Sequence, residues 1–318
     1  KSNYIKYDNF KKGAKNNLAL KFNFSQEILN YLKDEIQEYD KVLDFKIKKA
    51  VNFIKSNKIK KIFWGGTLPS TSANIVDKLR NLKIKIYGTQ HGGSYFIQKE
   101  DDLHFDSDYS FCDTFFSYGI SKYFDKEKYS KKNKTEFLNL GSFRSNYVKN
   151  KINQMTNKNL LNNLLYVPIG LTPFTAPAKG TTQSDYILTQ KKICESLNQN
   201  KNFSSYAKIM PCSFKNNQIL DFGLVDVNPI YLSLKKYKNI KILSSTLLKA
   251  ILDFKPKVII CDNLSSPIYE MIYSNAEIIL FIDKINFPKK DVLNALKKRV
   301  FIVKNVNQMK DVLKKIKS

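Results

Sequence analysis

The segment Gly88-Thr89-Gln90-His91-Gly92-Gly93-Ser94-Tyr95 concentrates groups that can do chemistry. It directly follows Ile84–Tyr87, an apolar run that reads as a strand. Its glycines let the backbone come close to a ligand, and amides in such a turn can form an anion nest. His91 is one of only 2 histidines in the chain; it can donate to a phosphate or carry a proton near neutral pH. Gln90, Gly92 and Gly93 are therefore expected to contact a phosphate-bearing ligand, with His91 catalytic. A glycine turn carrying a surface histidine is the competing reading. The spacing fits neither the Walker nor the Rossmann fingerprint.

Next comes an acidic stretch, Glu100–Asp113, with Glu100, Asp101, Asp102, Asp106, Asp108 and Asp113. Such carboxylates can serve as base or nucleophile, and Asp108 or Asp113 is the expected catalytic carboxylate. A solvated acidic loop is the alternative. Asp106-Ser107-Asp108 spells a D-x-D metal motif but does not end an apolar strand, so no metal site is expected.

A third candidate is Cys261-Asp262-Asn263-Leu264-Ser265-Ser266-Pro267-Ile268-Tyr269-Glu270. Here an apolar strand runs into a helix start with Pro267 in the first turn and serines that can cap. Free amides at a helix N-terminus suit a phosphate. Asn263, Ser265 and Ser266 are the expected donor contacts, and Glu270, one turn on, can reach ribose hydroxyls. An ordinary capped helix is the alternative. Pro168 opens a further candidate, the long loop Pro168–Thr182, and Pro211-Cys212-Ser213 is a weaker one.

The elements that must position these groups alternate. Helices are expected from Ser25 to about Ile36 and over Lys41–Lys55. Strands at Lys61–Trp64, Ile84–Tyr87, Phe115–Tyr118 and Phe137–Leu140 follow, with a helix over Ser72–Asn81. A connecting helix is expected within Lys149–Asn163. A second series then begins, with strands at Leu164–Val167, Ala207–Met210, Ile240–Leu243, Val258–Cys261, Glu277–Ile282 and Val300–Val303. Helices at Ser184–Leu197, Thr246–Leu252, Pro267–Tyr273 and Val306–Ile316 separate them. Strands divided by single helices make parallel βαβ units. The expected fold is α/β, with two Rossmann-like parallel-sheet domains, 1–150 and 151–318, facing a cleft where ligands bind outside the carboxyl ends of the strands.

Bulk composition narrows the classes. The chain has 318 residues, 42% hydrophobic and 13% aromatic, enough for packed cores. Its net charge is +26, but the lysines are dispersed and arginine occurs only at Arg80, Arg144 and Arg299. Base readers favour arginine, so nucleic acid is not the expected partner. An anionic membrane surface fits the charge better, and solvated surface charge with no partner is the alternative. No apolar run reaches the ~18 residues that span a bilayer. Cys112, Cys194, Cys212 and Cys261 show no metal spacing and suit a reducing cytoplasm. The chain starts at Lys1 and reads as an excised fragment.

Taken in order, these segments resemble GT-B glycosyltransferases of bacterial surface polysaccharides with a Q-H-G-G-x-Y motif, here Gln90–Tyr95. Cys112–Gly119 is similar to that group's S-D-x-x-F-x-W-G segment, Gly141-Ser142-Phe143-Arg144 to its G-S-x-R segment, and Asp262–Glu270 to its D-x-x-S-T-x-x-x-E segment. Ser107, Tyr118 and Pro267 depart from the pattern, which usually has histidine, tryptophan and threonine there. The resemblance implies a C-terminal donor domain, no bound metal or cofactor, and an N-terminal domain trimmed relative to a full GT-B half. Its link to Kdo transferases implies a CMP-activated sugar as donor. The glycan or glycolipid acceptor would lie at the inner face of the cytoplasmic membrane. A CDP-polyol phosphate transferase and a non-catalytic nucleotide- or glycan-binding module are the alternatives.

Overall fold

The computed structural model describes residues 26–65, 75–76, 78–79, 82–93, 95–97, 108–119, 135–155, 159–169, 183–209, 229–282 and 288–317. They fall into two compact units. One lies within Lys1–His91 and Asp102–Leu140, the other within Gly92–Asp101 and Gly141–Ser318. Each unit contains a parallel sheet with helices, as the α/β reading expects.

The first unit opens with α1 (Gln26–Ser56), one helix of 31 residues where two were expected. Gln37-Glu38-Tyr39-Asp40 separates the two apolar patterns, but it holds neither glycine nor proline, so nothing breaks the backbone there. Leu43 and Ile54 are buried, and Ile54 clusters with Leu79 and Ile84. Lys58 takes a left-handed conformation (φ 52°) and the Ile59 amide returns to the Ile54 carbonyl at 3.0 Å, which closes the helix end.

Four parallel strands follow: β1 (Lys61–Trp64), β2 (Lys85–Thr89), β3 (Thr114–Ser117) and β4 (Glu136–Asn139), in that spatial order. Residues 75, 76, 78 and 79 are helical, within the helix expected over Ser72–Asn81. Tyr109, in a short 3-10 turn, packs edge-on against Phe115 and Phe137, each at 5.5 Å between ring centres. Gly88 sits within β2 because nothing larger fits. A Cβ there would meet the Cys112 sulfur and, at 2.9 Å, the Phe115 ring.

The second unit begins with α2 (Phe143–Asn153), N-capped by Ser142, whose hydroxyl accepts from the Ser145 amide at 3.1 Å. The connecting helix expected within Lys149–Asn163 therefore sits earlier, because the chain is already extended at Leu161. The unit continues with β5 (Leu161–Val167), α3 (Gln183–Gln199), β6 (Ser204–Lys208), α4 (Pro229–Leu234), β7 (Ile240–Leu243), α5 (Leu247–Phe254) and β8 (Pro256–Cys261). It ends with α6 (Ile268–Met271), β9 (Glu277–Phe281), α7 (Lys290–Leu296), β10 (Val300–Val303) and α8 (Val306–Lys317). The short helices α4 and α7 have no counterpart in the sequence reading.

All six strands are parallel, in the order β10-β9-β8-β5-β6-β7. The chain winds outward from β5 through β7, then returns to the other side of β5 and winds outward again from β8. This is doubly wound order, and it places a topological switch point between β5 and β8. Leu164, Tyr166, Val258 and Ile260 from the central strands are fully buried, with Ile193 and Leu197 from α3 and Met309 and Leu313 from α8 in the same core. Both faces of the central strands are covered, which is why they read as unbroken apolar runs. No described helix is long and apolar enough to cross a membrane.

Gly88→Ala should lower stability by about 1–3 kcal/mol, the usual cost of overpacking a filled site. A thermal unfolding midpoint equal to that of the natural chain would show that Cys112 and Phe115 yield freely.

Candidate functional site

The carboxyl ends of β5 and β8 meet at the switch point of the second unit, and one carboxylate ties them together. Asp262 follows β8 and is 5% exposed. Its Oδ1 accepts the Ile169 amide at 2.7 Å; its Oδ2 accepts the Tyr166 hydroxyl and the Gln190 side-chain amide, each at 2.8 Å. Gln190 also donates to the Ile169 carbonyl at 3.1 Å. The loop after β5, the loop after β8 and the middle of α3 are thus joined through one group. Burial raises the Asp262 carboxyl above the ordinary 3.8, and the bonds from Gln190, Ile169 and Tyr166 oppose that rise. Pro168, expected at the donor site, is buried beside this junction at the end of β5.

The glycine-rich segment meets the β8 loop directly. The Gly93 amide donates to the Ser266 hydroxyl at 3.0 Å, and the Tyr269 hydroxyl donates to the Gly93 carbonyl at 2.7 Å. A Cβ on Gly93 would strike the Tyr269 ring and, at 2.9 Å, the Ser266 Cα. Glycine at 93 is required for this close approach. Its amide is not free for an anion, a correction to the nest expectation. Nor does Ser266 cap the helix: Pro267 is the N-cap and no side chain caps the turn. The helix α6 is also a single turn of 4 residues, so its dipole is small. Burial pushes the Tyr269 phenol up to about 12, which keeps it a donor.

Asn263 and Ser265 are half-buried in the same loop. The Asn263 carbonyl accepts the Cys261 thiol at 3.0 Å, and the Ser265 carbonyl accepts the Ile268 amide at 3.1 Å. Glu270 lies in α6, where its Oε1 accepts the Arg144 Nε at 2.9 Å. Arg144 is the arginine of Gly141-Ser142-Phe143-Arg144, so two segments matched separately in the sequence meet here.

In the first unit, His91 and Asp108 come together, with His91 Nδ1 3.8 Å from Asp108 Oδ2. The histidine side chain is 38% exposed and the carboxylate 2%. The carboxylate is thus buried beside an exposed imidazole, at a separation longer than a direct hydrogen bond. Asp108 therefore stands behind the histidine. Gln90 is buried; its side-chain oxygen accepts the Tyr118 amide at 3.0 Å, and its own amide bonds the Phe116 carbonyl at 2.9 Å. It fastens β2 to β3, a structural use that the donor expectation did not include.

Asp113 is not brought to His91. Its carboxylate accepts the Ile86 amide at 2.8 Å, at the amino end of the sheet, whereas His91 follows the carboxyl end of β2. At ~3.3 Å per residue, one strand length separates the two ends. Of the two expected carboxylates, the structure brings Asp108 to His91 and not Asp113. Gly92 is half-buried before Gly93. Glu100, Asp101, Asp102, Asp106, the loop 170–182 and Pro211-Cys212-Ser213 lie outside the described residues. Among the described residues no group of three His, Cys, Asp or Glu side chains could hold a metal ion. Tyr166, Gln190 and Tyr269 carry polar roles that the sequence reading passed over, because each sits inside an apolar or helical pattern.

The family model of the LIC12162 family transferases matches residues 6–297. The chain belongs to this family. No curated protein matches the sequence. Among solved structures, the transferase is similar to the UDP co-structure of MnaA from S. aureus, at 10% identity over 87% of this chain and 72% of that one, with a TM-score of 0.49. It is similar to a glycosyltransferase from Rickettsia africae, at 14% identity over 86% of this chain and 71% of that one, TM-score 0.42. It is also similar to MurG from Acinetobacter baumannii, at 12% identity over 82% of this chain and 65% of that one, TM-score 0.39. These are partial likenesses, and the assignment as a transferase stands on the family match.

The Asp262 junction makes a pH prediction. An acid whose folded value is raised favours the fold when protonated. That stabilisation is complete below 3.8 and is lost as pH rises through the raised folded value. Asp262→Asn does not titrate there. In urea unfolding, the stability of the natural chain relative to Asp262→Asn should fall as pH rises above 3.8 and then level off. A difference that does not change with pH would show that Asp262 ionises as in the unfolded chain. Separately, Tyr269→Phe should cost about 1 kcal/mol, the worth of one hydrogen bond, read as a lower unfolding midpoint.

Proposed function

We propose that this transferase is a GT-B glycosyltransferase that moves a sugar from a nucleotide donor to a bacterial surface glycan. The observation that carries the reading is the β5/β8 switch point, where doubly wound sheets bind their ligands. The loops with Pro168, Asn263, Ser265 and Ser266 lie at that point in the second unit, and Glu270 stands in α6, which follows. Membership of a transferase family supports a group-transfer reaction there.

A CMP-activated sugar is the proposed donor. The single turn of α6 offers few amides, and the Gly93 amide is already bound to Ser266. That suits one phosphate better than two. Glu270 is a carboxylate acceptor of the kind that holds ribose hydroxyls. No cofactor enters the reaction, because the nucleotide sugar is a substrate. His91 acts as proton carrier, with Asp108 behind it, and stands two residues before Gly93 in the chain. The acceptor is proposed to lie at the cytoplasmic face of an anionic membrane, a reading supported by the +26 charge.

The test is thermal unfolding with CMP, CDP, UDP, GDP and ADP. A nucleotide at a hundredfold its Kd stabilises by about 2.7 kcal/mol through mass action. A selective shift with CMP is expected. A selective shift with CDP would favour polyol-phosphate transfer instead, and no shift with any nucleotide would overturn the donor reading in favour of a non-catalytic module. With the donor known, His91→Ala should cut turnover about 10²- to 10⁴-fold while leaving the unfolding midpoint in place. Full turnover in that variant would remove His91 from the mechanism.

A further inference from the structure

We propose that Arg144 is a positioning residue: it fixes the Glu270 carboxylate so that the second carboxylate oxygen accepts a hydroxyl of the nucleotide's ribose. The inference rests on the nucleotide-donor reading above.

The geometry begins with the turn into α2. Gly141 has φ +76°, a conformation that favours glycine, and Ser142 caps the helix. Arg144 is thereby placed in the first turn. Its Nε donates to Glu270 Oε1 at 2.9 Å, and its guanidinium carbon lies 5.9 Å from the centre of the Tyr147 ring, one turn further on. The planar guanidinium is thus held from two directions, by the carboxylate and by the ring.

Glu270 needs such a partner. It projects from a helix of 4 residues, too short to fix a side chain with three rotatable bonds. Its Oε2 is shielded from water and has no hydrogen-bond donor among the described residues. An ionised carboxylate can only accept, so this oxygen calls for a donor from outside the chain. The side chain as a whole keeps 17% exposure. A ribose diol supplies two hydroxyl donors: one for Oε2, one for the remaining lone pair of Oε1. The Arg144 side chain is 51% exposed, so the ion pair adds little to folding, and its consequence is orientation.

The test uses the full chain and isothermal titration with CMP and 2′,3′-dideoxy-CMP, or the matching pair for whichever member of the panel binds tightest. The natural chain should prefer the ribonucleotide by about tenfold or more, the worth of hydrogen bonds to a charged group. In Arg144→Ala that preference should collapse, with ribonucleotide binding weakened and dideoxy binding unchanged. The ligand-free unfolding midpoint should stay in place, a combination that a purely structural role would not give. Arg144→Lys, which keeps the charge but not the planar fork, should fall between and serves as the test if the alanine variant folds poorly. Retention of the full ribose preference in either variant would overturn the assignment. Equal loss of both ligands would also overturn it, since that pattern marks a phosphate contact. Failure of the natural chain to bind any nucleotide would defeat the donor reading itself, and this inference with it.

Discussion

A carboxylate out of water must be surrounded by donors, and in the second unit that requirement organises the region where ligands are expected. Asp262 takes three hydrogen bonds, from the strand before the β5 loop, from that loop's own backbone and from α3. Replacing it with an apolar residue would leave those donors facing one another in a dry interior, at roughly 1–3 kcal/mol each. The same bonds hold the ends of β5 and β8 at a fixed separation. The loop after β5, which starts at Pro168, and the loop after β8, with Asn263 to Ser266, inherit that spacing. The carboxylate at the switch point is therefore one whose own oxygens are used by the protein.

Glycine serves a related purpose at two positions. Gly88 lets the Cys112 sulfur and the Phe115 ring close onto β2, and Gly93 lets Tyr269 and Ser266 close onto the following segment. In both cases the missing side chain makes room for the protein itself. A glycine-rich stretch after a strand invites the idea of a ligand cradle. Here the Gly93 amide and carbonyl are both consumed by side chains from another part of the same unit.

This distinction marks where the sequence was legible. The parallel strands were readable because each is a short apolar run closed by glycine, proline or a polar residue; β1, β7 and β10 lie at the expected residues. The merged helix α1 was not, since two apolar patterns separated by the polar stretch Gln37–Asp40 look like two helices until the absence of a breaker between them is weighed. Strand order is a non-local property, and no local pattern states that β8 returns beside β5. For the site, residue types at the switch point were visible, but their partners were not. Arg144 and Glu270 are far apart in the chain, and so are Tyr166 and Asp262. Asp113 stands in an acidic stretch, and only the structure shows its bond to the Ile86 amide, which joins the amino ends of the two central strands β2 and β3.

The second unit takes its residues from two separate stretches, Gly92–Asp101 and Gly141–Ser318. It is a discontinuous piece of architecture, and that constrains how the protein can be dissected or recombined. A fragment cut at Gly141 would carry the whole six-stranded sheet yet lack Gly93, leaving Tyr269 and Ser266 without the backbone they grip. Exchange of C-terminal halves between relatives meets the same obstacle, because the grafted half would have to accept a foreign glycine segment. The two segments are expected to vary together, as a lock and its key do, even though Gly93 and Ser266 are 173 positions apart in the chain.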